Sequence, residues 1–418
     1  MRDLTAVTNA KLAAGQGQDV AKITIDAANG RGSAADGPAV SRMLDQLSRL
    51  MLTRADTGGL NLRALVSEAK TIDADGPLGM KYVFTVGSSE ATYELLFSSD
   101  DRLVSEKLRG VIDSNVGSIF EISAADGAVS AEFSPRLFRN EVFETKARTL
   151  IDQYWGNHSF LSIMQDQYDQ NNREFMAAAV GTGLKEVLDE LDRLAVSCKY
   201  SGRSVGSGIG RYILAHLPNG RISGTALAEL ETYEHALSSY FTRLYSDVVR
   251  AFFKTEKEDE TYLRYTLMLE KRIAGRNRAV SFEKESSGTQ KLLALFPALI
   301  ECALGRTVFF DEADSGIHDK LVRDLMAQVL PEVKGQLILT THSTALLNTA
   351  NPRNVFVLTV DLDGNKGLSS FAEIRKTARN NNNRDRYLNG TFGGVPIIGE
   401  VDLEEIARSL QTALVKKM

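Results

Sequence analysis

Two adjacent carboxylates at the end of an apolar run are the first residues of this chain that could do chemistry. Thr307, Val308, Phe309 and Phe310 read as a buried strand, and Asp311 and Glu312 follow directly. At the carboxyl end of a sheet strand such groups face the ligand crevice. An aspartate there can hold Mg2+, directly or through water, and a glutamate can orient and polarise a water for in-line displacement at a terminal phosphate. A second apolar run, Leu337 to Leu339 followed by Thr340 and Thr341, ends at His342. A histidine at that point can hydrogen-bond the phosphate and stabilise charge as it builds. Upstream, Ser286, Ser287 and Gly288 open a helix. Their small side chains let backbone approach a phosphate closely, and the N-terminal dipole favours anions. Each element alone has an ordinary alternative: a strand cap with a solvated acidic turn, a satisfied histidine, a plain Ser/Gly helix cap. The order and spacing of all three within residues 283–348 is the specific signal.

The surrounding pattern supplies elements to hold them. Residues 261–284 read as a β-hairpin turning at Ala274-Gly275-Arg276-Asn277. A helix is expected over 289–304, a strand over 306–310, a helix over 318–330, a strand over 336–341, a helix from near Ser343 and a strand over 354–360. Strands alternating with helices predict a parallel α/β sheet. At the other end, strands at 4–7 and 21–26 flank a Gly-rich turn, residues 27–38 form a small-residue loop, and 39–53 carry a helical stripe of Val40, Met43, Leu44, Leu47, Leu50 and Met51. Residues 81–135 alternate like strands, and 142–255 look mostly helical, with stripes at Leu184, Val187, Leu188, Leu191 and Leu194 and again over 224–253. No heptad run is long enough for a coiled-coil arm. The asparagines at 380–383 read as a loop.

Together these segments resemble the SMC/RecF-like, ABC-type AAA ATPases, and most closely the stand-alone bacterial kind of phage-defence and abortive-infection systems. The likeness rests on Glu285-Ser286-Ser287-Gly288-Thr289 as signature, on Asp311-Glu312 with Asp314 to His318, on Thr340-Thr341-His342, and on a late segment with Arg386, Tyr387, Leu388, Gly390, Gly393 and Pro396. It is clear over about 260–400, weaker at 80–160 and poor at 1–38. The resemblance implies an α/β fold: an ABC-type P-loop NTPase head, with a mixed or parallel sheet, flanking helices and an antiparallel β-layer, plus a compact helical insertion. The implied division is an N-terminal ATPase lobe at 1–141, a helical insertion at 142–258 and a C-terminal ATPase lobe at 259–418. It also implies roles. Asp311 is the Mg2+ ligand, Glu312 and His342 are catalytic, and Ser315 lies in the D-loop that touches a partner subunit. Ser286, Ser287 and Gly288 act across a homodimer, or a higher homo-oligomer, on nucleotide held by the other copy.

The element that should hold the nucleotide is defective. A working phosphate loop reads G-x-x-x-x-G-K-[ST], with a lysine on the β/γ oxygens and a hydroxyl on Mg2+. The nearest match runs from Ala27 to Ala34. Asn29, Gly30 and Gly32 fit, but Ala27 replaces the first glycine, Ser33 the lysine and Ala34 the Mg2+-binding serine. No lysine occurs from 23 to 69, so no gapped alignment restores it. A nearby arginine, such as Arg31 or Arg42, does not replace an ammonium at a tight site. Nor does any glutamine occur between Gln46 and Gln153 to serve as the family's Q-loop residue. Each lost charge-assisted contact is worth about 1.5–3 kcal/mol, so ATP·Mg2+ binding is expected to be weakened.

Composition limits the rest. With 418 residues, 43% apolar and 25% charged, the chain can bury a sizeable core. A net charge of −5 argues against a surface devoted wholly to nucleic acid. A late basic cluster of Arg379, Arg384, Arg386, Lys416 and Lys417 reads either as a local patch for DNA or as solvated surface. Cys198 and Cys302 lack metal spacing, which suits a reducing compartment. No apolar leader or membrane-length run is visible, so the cytoplasm is the expected location and no membrane partner is expected. Three functions compete: an ATPase that controls a separate effector, nuclease or toxin, in anti-phage defence; a catalytically dead ABC-like scaffold; and a RecF-like DNA-repair ATPase. No nuclease motif is present, and the resemblance implies that any effector chemistry belongs to another chain.

Overall fold

Alternation of apolar and polar residues builds the first half of the molecule into strands. Leu78, Met80, Tyr82 and Phe84, then Ala91, Tyr93, Leu95 and Phe97, are all buried, and a period of two puts each set on one sheet face. A computed structural model describes residues 5–6, 24–29, 62–63, 77–112, 114–125, 127–192, 194–197, 204–206, 217–360, 366–374, 382–395 and 399–415. In it these residues belong to a seven-stranded antiparallel meander in sequence order. Its strands are β1 (Thr5–Ala6), β2 (Thr24–Asn29), β3 (Leu78–Val86), β4 (Ser89–Phe97), β5 (Leu103–Ile112), β6 (Asn115–Ala125) and β7 (Ala128–Phe133). Four helices follow: α1 (Glu141–Tyr154), α2 (Phe160–Gln170), α3 (Arg173–Ala179) and α4 (Thr182–Asp192). They cover the buried face with Phe143, Ile151, Phe160, Met164, Leu184 and Leu188.

One buried carboxylate joins these layers. Glu106 on β5 is 0% exposed. Its oxygens accept from the Tyr93 hydroxyl (2.9 Å), the Trp155 indole (2.8 Å) and the backbone N–H groups of Phe160 (2.7 and 2.9 Å) and Leu161 (3.3 Å). The last two are free N–H groups of the first turn of α2, where negative charge is favoured. Burial pushes the carboxyl up to about 7 against the pull of these donors.

The second half is a set of sheets around another core. β8 (Leu194–Ser197), β9 (Ser204–Gly206), β10 (Asn219–Ser223), helix α5 (Leu227–Leu244), β11 (Val248–Lys257), β12 (Tyr262–Ile273) and β13 (Arg276–Ser281) precede helix α6 (Ser287–Ala303). β10, β12, β11 and β13 form an antiparallel sheet whose inner face, Ala251, Phe253, Tyr265, Leu267 and Leu269, packs with Leu237 and Phe241 of α5. The expected hairpin is present. Ala274 and Gly275 both have positive φ (49° and 75°), as a two-residue type I′ turn requires. Then come β14 (Thr307–Phe310), helix α7 (Asp319–Val329), β15 (Gln336–Leu339), β16 (Phe356–Val360), β17 (Lys366–Ser370), and the helices α8 (Phe371–Ile374), α9 (Asn383–Leu388) and α10 (Leu403–Val415). β14 pairs in parallel with β15 on one side and β8 on the other.

Several expectations need correction. Helix over 142–255 holds through α4 and again in α5, but not between or after them. Leu194 opens β8 instead of closing the α4 stripe, and 248–257 is strand β11. The aromatics there follow a period of two, with Ala251 and Phe253 inside and Arg250 and Lys254 outside, which a helical reading of the same apolar content misses. β16 forms as expected, but it pairs antiparallel with β17, which returns directly beside it. Asn383 is not loop: it opens α9, which Asn382 caps through its side chain. The loop expected from residue 27 begins later, since Ala27, Ala28 and Asn29 are paired in β2 with Met80, Gly79 and Leu78. The helix expected at 39–53 lies outside the described residues.

A Glu106→Gln substitution puts an amide NH2 among groups that only donate. It should cost about 1–3 kcal/mol, read as a lower urea midpoint with unchanged slope. An unchanged midpoint would show that the carboxylate does not join sheet and helix.

Candidate functional site

β14 is a wall between two cores. All four of its residues are buried, with Phe309 in the core under the antiparallel sheet and Val308 and Phe310 in the core under α6. Such a strand cannot slip by one residue without turning both sets of side chains over. The ladder with β15 runs Phe310 to Leu339 and carries on past both strands, from Thr340 N to Phe310 O (3.1 Å) and from Ala313 N to Thr340 O (3.0 Å).

At the end of this ladder the Thr340 hydroxyl makes two bonds. It donates to Asp311 Oδ1 at 2.5 Å and accepts from the backbone N–H of Glu312 at 2.7 Å. Asp311 is thereby held at 7% exposure at the strand end. Glu312 sits at φ 47°, in the left-handed region. For a glutamate this costs on the order of 1–3 kcal/mol and persists only where the surroundings impose it. Here they do, through Thr340 on one N–H and the ladder on the next.

The turn after Glu312 closes on itself. Ser315 N bonds Glu312 O (3.2 Å), Ile317 N bonds Asp314 O (3.0 Å), and the His318 ring caps α7 by accepting from Lys320 N (3.2 Å). Gly316 packs against the start of α6. A Cβ on Gly288 would lie 2.4 Å from Gly316 O, so only glycine allows this approach. The structure therefore brings Gly288, Gly316 and the exposed Ser287 and Ser315 together. Ser286 is used locally: its hydroxyl caps α6 at Thr289 N (3.2 Å) and meets the Thr289 hydroxyl (2.9 Å).

His342 follows β15 with its ring exposed, and its N–H reaches Asp314 Oδ1 at 3.3 Å. The next turn is braced from two sides. Ser343 Oγ donates to Asp319 Oδ1 (2.8 Å), and Arg384 of α9 donates to Thr344 Oγ1 (2.9 Å). Arg384 N also bonds Asn348 Oδ1 (3.1 Å), and Arg386 lies over the Phe392 ring at 5.1 Å. These two arginines of the late basic cluster thus make contacts within the chain. Arg379, Lys416 and Lys417 lie outside the described residues, as do Gly30, Gly32, Ser33 and Pro396. Asn29 is placed at the end of β2, opposite Leu78. Cys302 is free and buried, with its thiol pushed up to about 12 by burial.

Sequence reasoning named Thr340, Gly316 and Arg384 only as members of the Thr-Thr-His run, the D-loop segment and the basic cluster, and missed the contacts through which they position the site. Thr340 was legible in principle, as the first polar residue of its strand in register with the carboxylates. Arg384 gave no local signal, because its partners lie 36 to 40 residues away.

Residues 211–348, about a third of the chain, match the family described as "AAA domain, putative AbiEii toxin, Type IV TA system". Among solved structures, the chain is similar to an Smc head bound to the C-winged helix domain of ScpA, at 14% identity over 80% of this chain and 87% of that one, with a TM-score of 0.40. It is also similar to an Smc head domain with an extended coiled coil, bound to the C-terminal domain of ScpA derived from Pyrococcus furiosus, at 15% identity, 80% and 87% coverage and a TM-score of 0.36. No curated protein matches the chain. The fold is mixed α/β. Over residues 211–348 the chain resembles the AAA domains associated with abortive infection.

Two variants test the geometry. Thr340→Val removes a donor and an acceptor at once and should cost about 1–3 kcal/mol, while Thr340→Ser, which keeps the hydroxyl, should recover most of it; equal stability of all three would refute the clamp. Glu312→Gly relieves the left-handed backbone and should raise stability by about 1 kcal/mol, measured by urea unfolding; a loss of stability would show that the glutamate side chain, not its conformation, is what the fold needs.

Proposed function

We propose that this chain is an ATPase subunit that takes ATP·Mg2+ between two copies of itself and uses closure and turnover to control a separate effector in anti-phage defence. The observation that carries the reading is the pair of hydrogen bonds made by the Thr340 hydroxyl. It fixes Asp311 and Glu312 at the end of a buried strand, with the Gly288–Gly316 contact alongside. The donor set fits Mg2+ shared with a nucleotide. Among the described residues no three His, Cys, Asp or Glu side chains gather as a metal site. A single carboxylate, with phosphate and water oxygens completing the shell, is how Mg2+ is usually held in such sites. Asp311 would hold the ion, which would neutralise phosphate charge. Glu312 would orient and deprotonate water, His342 would donate to the terminal phosphate, and Ser287 and Gly288 would meet the partner's nucleotide. Asn29, Gly30, Gly32 and Ser33 would offer backbone N–H groups only, so affinity would depend more than usual on the partner copy. Among the described residues no helix is long and apolar enough to cross a membrane, and the reading places the protein in the cytoplasm.

A specific observation favours a second reading, that of a scaffold without turnover. Ala27 to Asn29, the front of the degenerate loop, are engaged in the β2–β3 ladder, and no lysine follows before residue 70. The two readings separate when ATP·Mg2+ is titrated against the protein and its Glu312→Gln variant, following nucleotide binding and dimer formation. An ATPase should lose about 100-fold or more of its turnover in the variant while retaining nucleotide-induced dimers. Absence of binding at millimolar ATP leaves the scaffold.

A further inference from the structure

The antiparallel sheet β10-β12-β11 with β13 carries many cations, and almost all of its body is neutralised in place. Arg221 pairs with Glu258 and Asp259 (3.1 and 2.9 Å), Arg250 with Glu270 (2.6 Å), Lys254 with Glu256 (2.8 Å) and Arg264 with Glu258 (3.0 Å). Lys271 is held by Asp247 (3.3 Å) and Glu285 (3.2 Å). The tip of the β12–β13 hairpin differs. From Lys271 to Ser281 there are four cations and no carboxylate. Arg272, Arg276 and Arg278 are exposed, and none of the three pairs with a carboxylate among the described residues.

The register gives the tip its shape. β11 ends its ladder at Val248 opposite Lys271, and Arg272 N still bonds Asp247 O (2.7 Å), so the hairpin projects beyond it as a short two-stranded tip of the pairs Arg272–Asn277 and Ile273–Arg276, with Arg278 at its base. Arg272 pairs across with Asn277, whereas Ile273 pairs with Arg276 and Lys271 with Arg278. Alternation therefore puts Arg272 on one face and Arg276 and Arg278 on the other. Ile273, 42% exposed, stands beside the turn. A flat acidic protein surface or a lipid headgroup layer meets one face of a ribbon. A duplex groove presents phosphates on both walls, and the major groove of DNA is wide enough for a two-stranded β-ribbon.

We propose that the β12–β13 tip is a nucleic-acid contact element that enters a duplex groove, with Arg272, Arg276 and Arg278 on backbone phosphates and Ile273 against the base edges. It stands apart from the ATP reading, because its residues are distinct from Asp311, Glu312 and His342. It also fits a chain with net charge −5, since the contact needs a local excess of cations and not a basic surface.

The test uses the full chain and a fluorescein-labelled duplex of mixed sequence, followed by anisotropy between about 50 and 200 mM salt. Three phosphate contacts predict a fall in affinity of about 40-fold over that range, from a log–log slope of about −0.9 per phosphate. The Arg272→Gln, Arg276→Gln, Arg278→Gln triple variant should make the slope shallower by about 2–3. A control triple, Arg221→Gln, Arg250→Gln, Arg264→Gln, removes the same charge from the paired arginines and should leave the slope near that of the parent. Circular dichroism and urea unfolding confirm that each variant is folded. Failure of the parent to bind duplex at the lowest salt, or equal loss in both triples, overturns the proposal. Equal affinity for polyglutamate assigns the tip to acidic protein surfaces and overturns it as well.

Discussion

Burial of β14 on both faces is the constraint on which the rest depends. Val308 and Phe310 fill one core and Phe309 the other, so this four-residue strand is the seam between the antiparallel layer with its helices and the sheet that carries α5 and α6. Removing it would expose both cores at once, and at about 25 cal/mol per Å2 of apolar surface neither could be made good by local repacking. The candidate site sits at the end of this strand for the same reason. A seam that cannot shift register is the most precisely placed point in the fold, and Asp311 and Glu312 are the first residues beyond it.

From that point precision is handed on through polar contacts. Thr340 ties the two carboxylate residues to β15, Ala313 returns the ladder, and Gly316 meets Gly288 with no room for a Cβ. Any movement of α6 along its axis is therefore felt at the turn after Glu312. The antiparallel layer has its own fastener in Glu106, whose four donor groups come from a strand, the segment after α1 and the first turn of α2. Both devices satisfy helix N-terminal N–H groups or strand-end groups that would otherwise be costly to bury.

Most of the C-terminal half was legible in the sequence because its signals are local. Four apolar residues before Asp311, an Ala-Gly turn flanked by alternating strands, and Ser286 before an apolar helix each name their own structure. The misreadings share one cause. Residues 248–257 hold enough apolar side chains for a helix, and the partner strand β12 draws them into a ladder instead. Leu194 fits the α4 stripe in sequence, but pairing with β14 draws its segment into a strand. Thr340 and Arg384 act through partners 28 to 40 residues away, so nothing in their own neighbourhood marks them.

The degenerate loop and the retained strand-end geometry pull in opposite directions, and the backbone of Glu312 helps to weigh them. A left-handed glutamate costs on the order of 1–3 kcal/mol, a sizeable share of the 5–15 kcal/mol by which a domain is stable. That cost is met by a hydroxyl aimed at one N–H and a ladder bond at the next. A scaffold needs the seam of β14 and the Gly288–Gly316 contact, but it does not need a carboxylate held in this conformation beside a second carboxylate. Water activation needs both. The strain at Glu312 therefore favours the turnover reading over assembly alone.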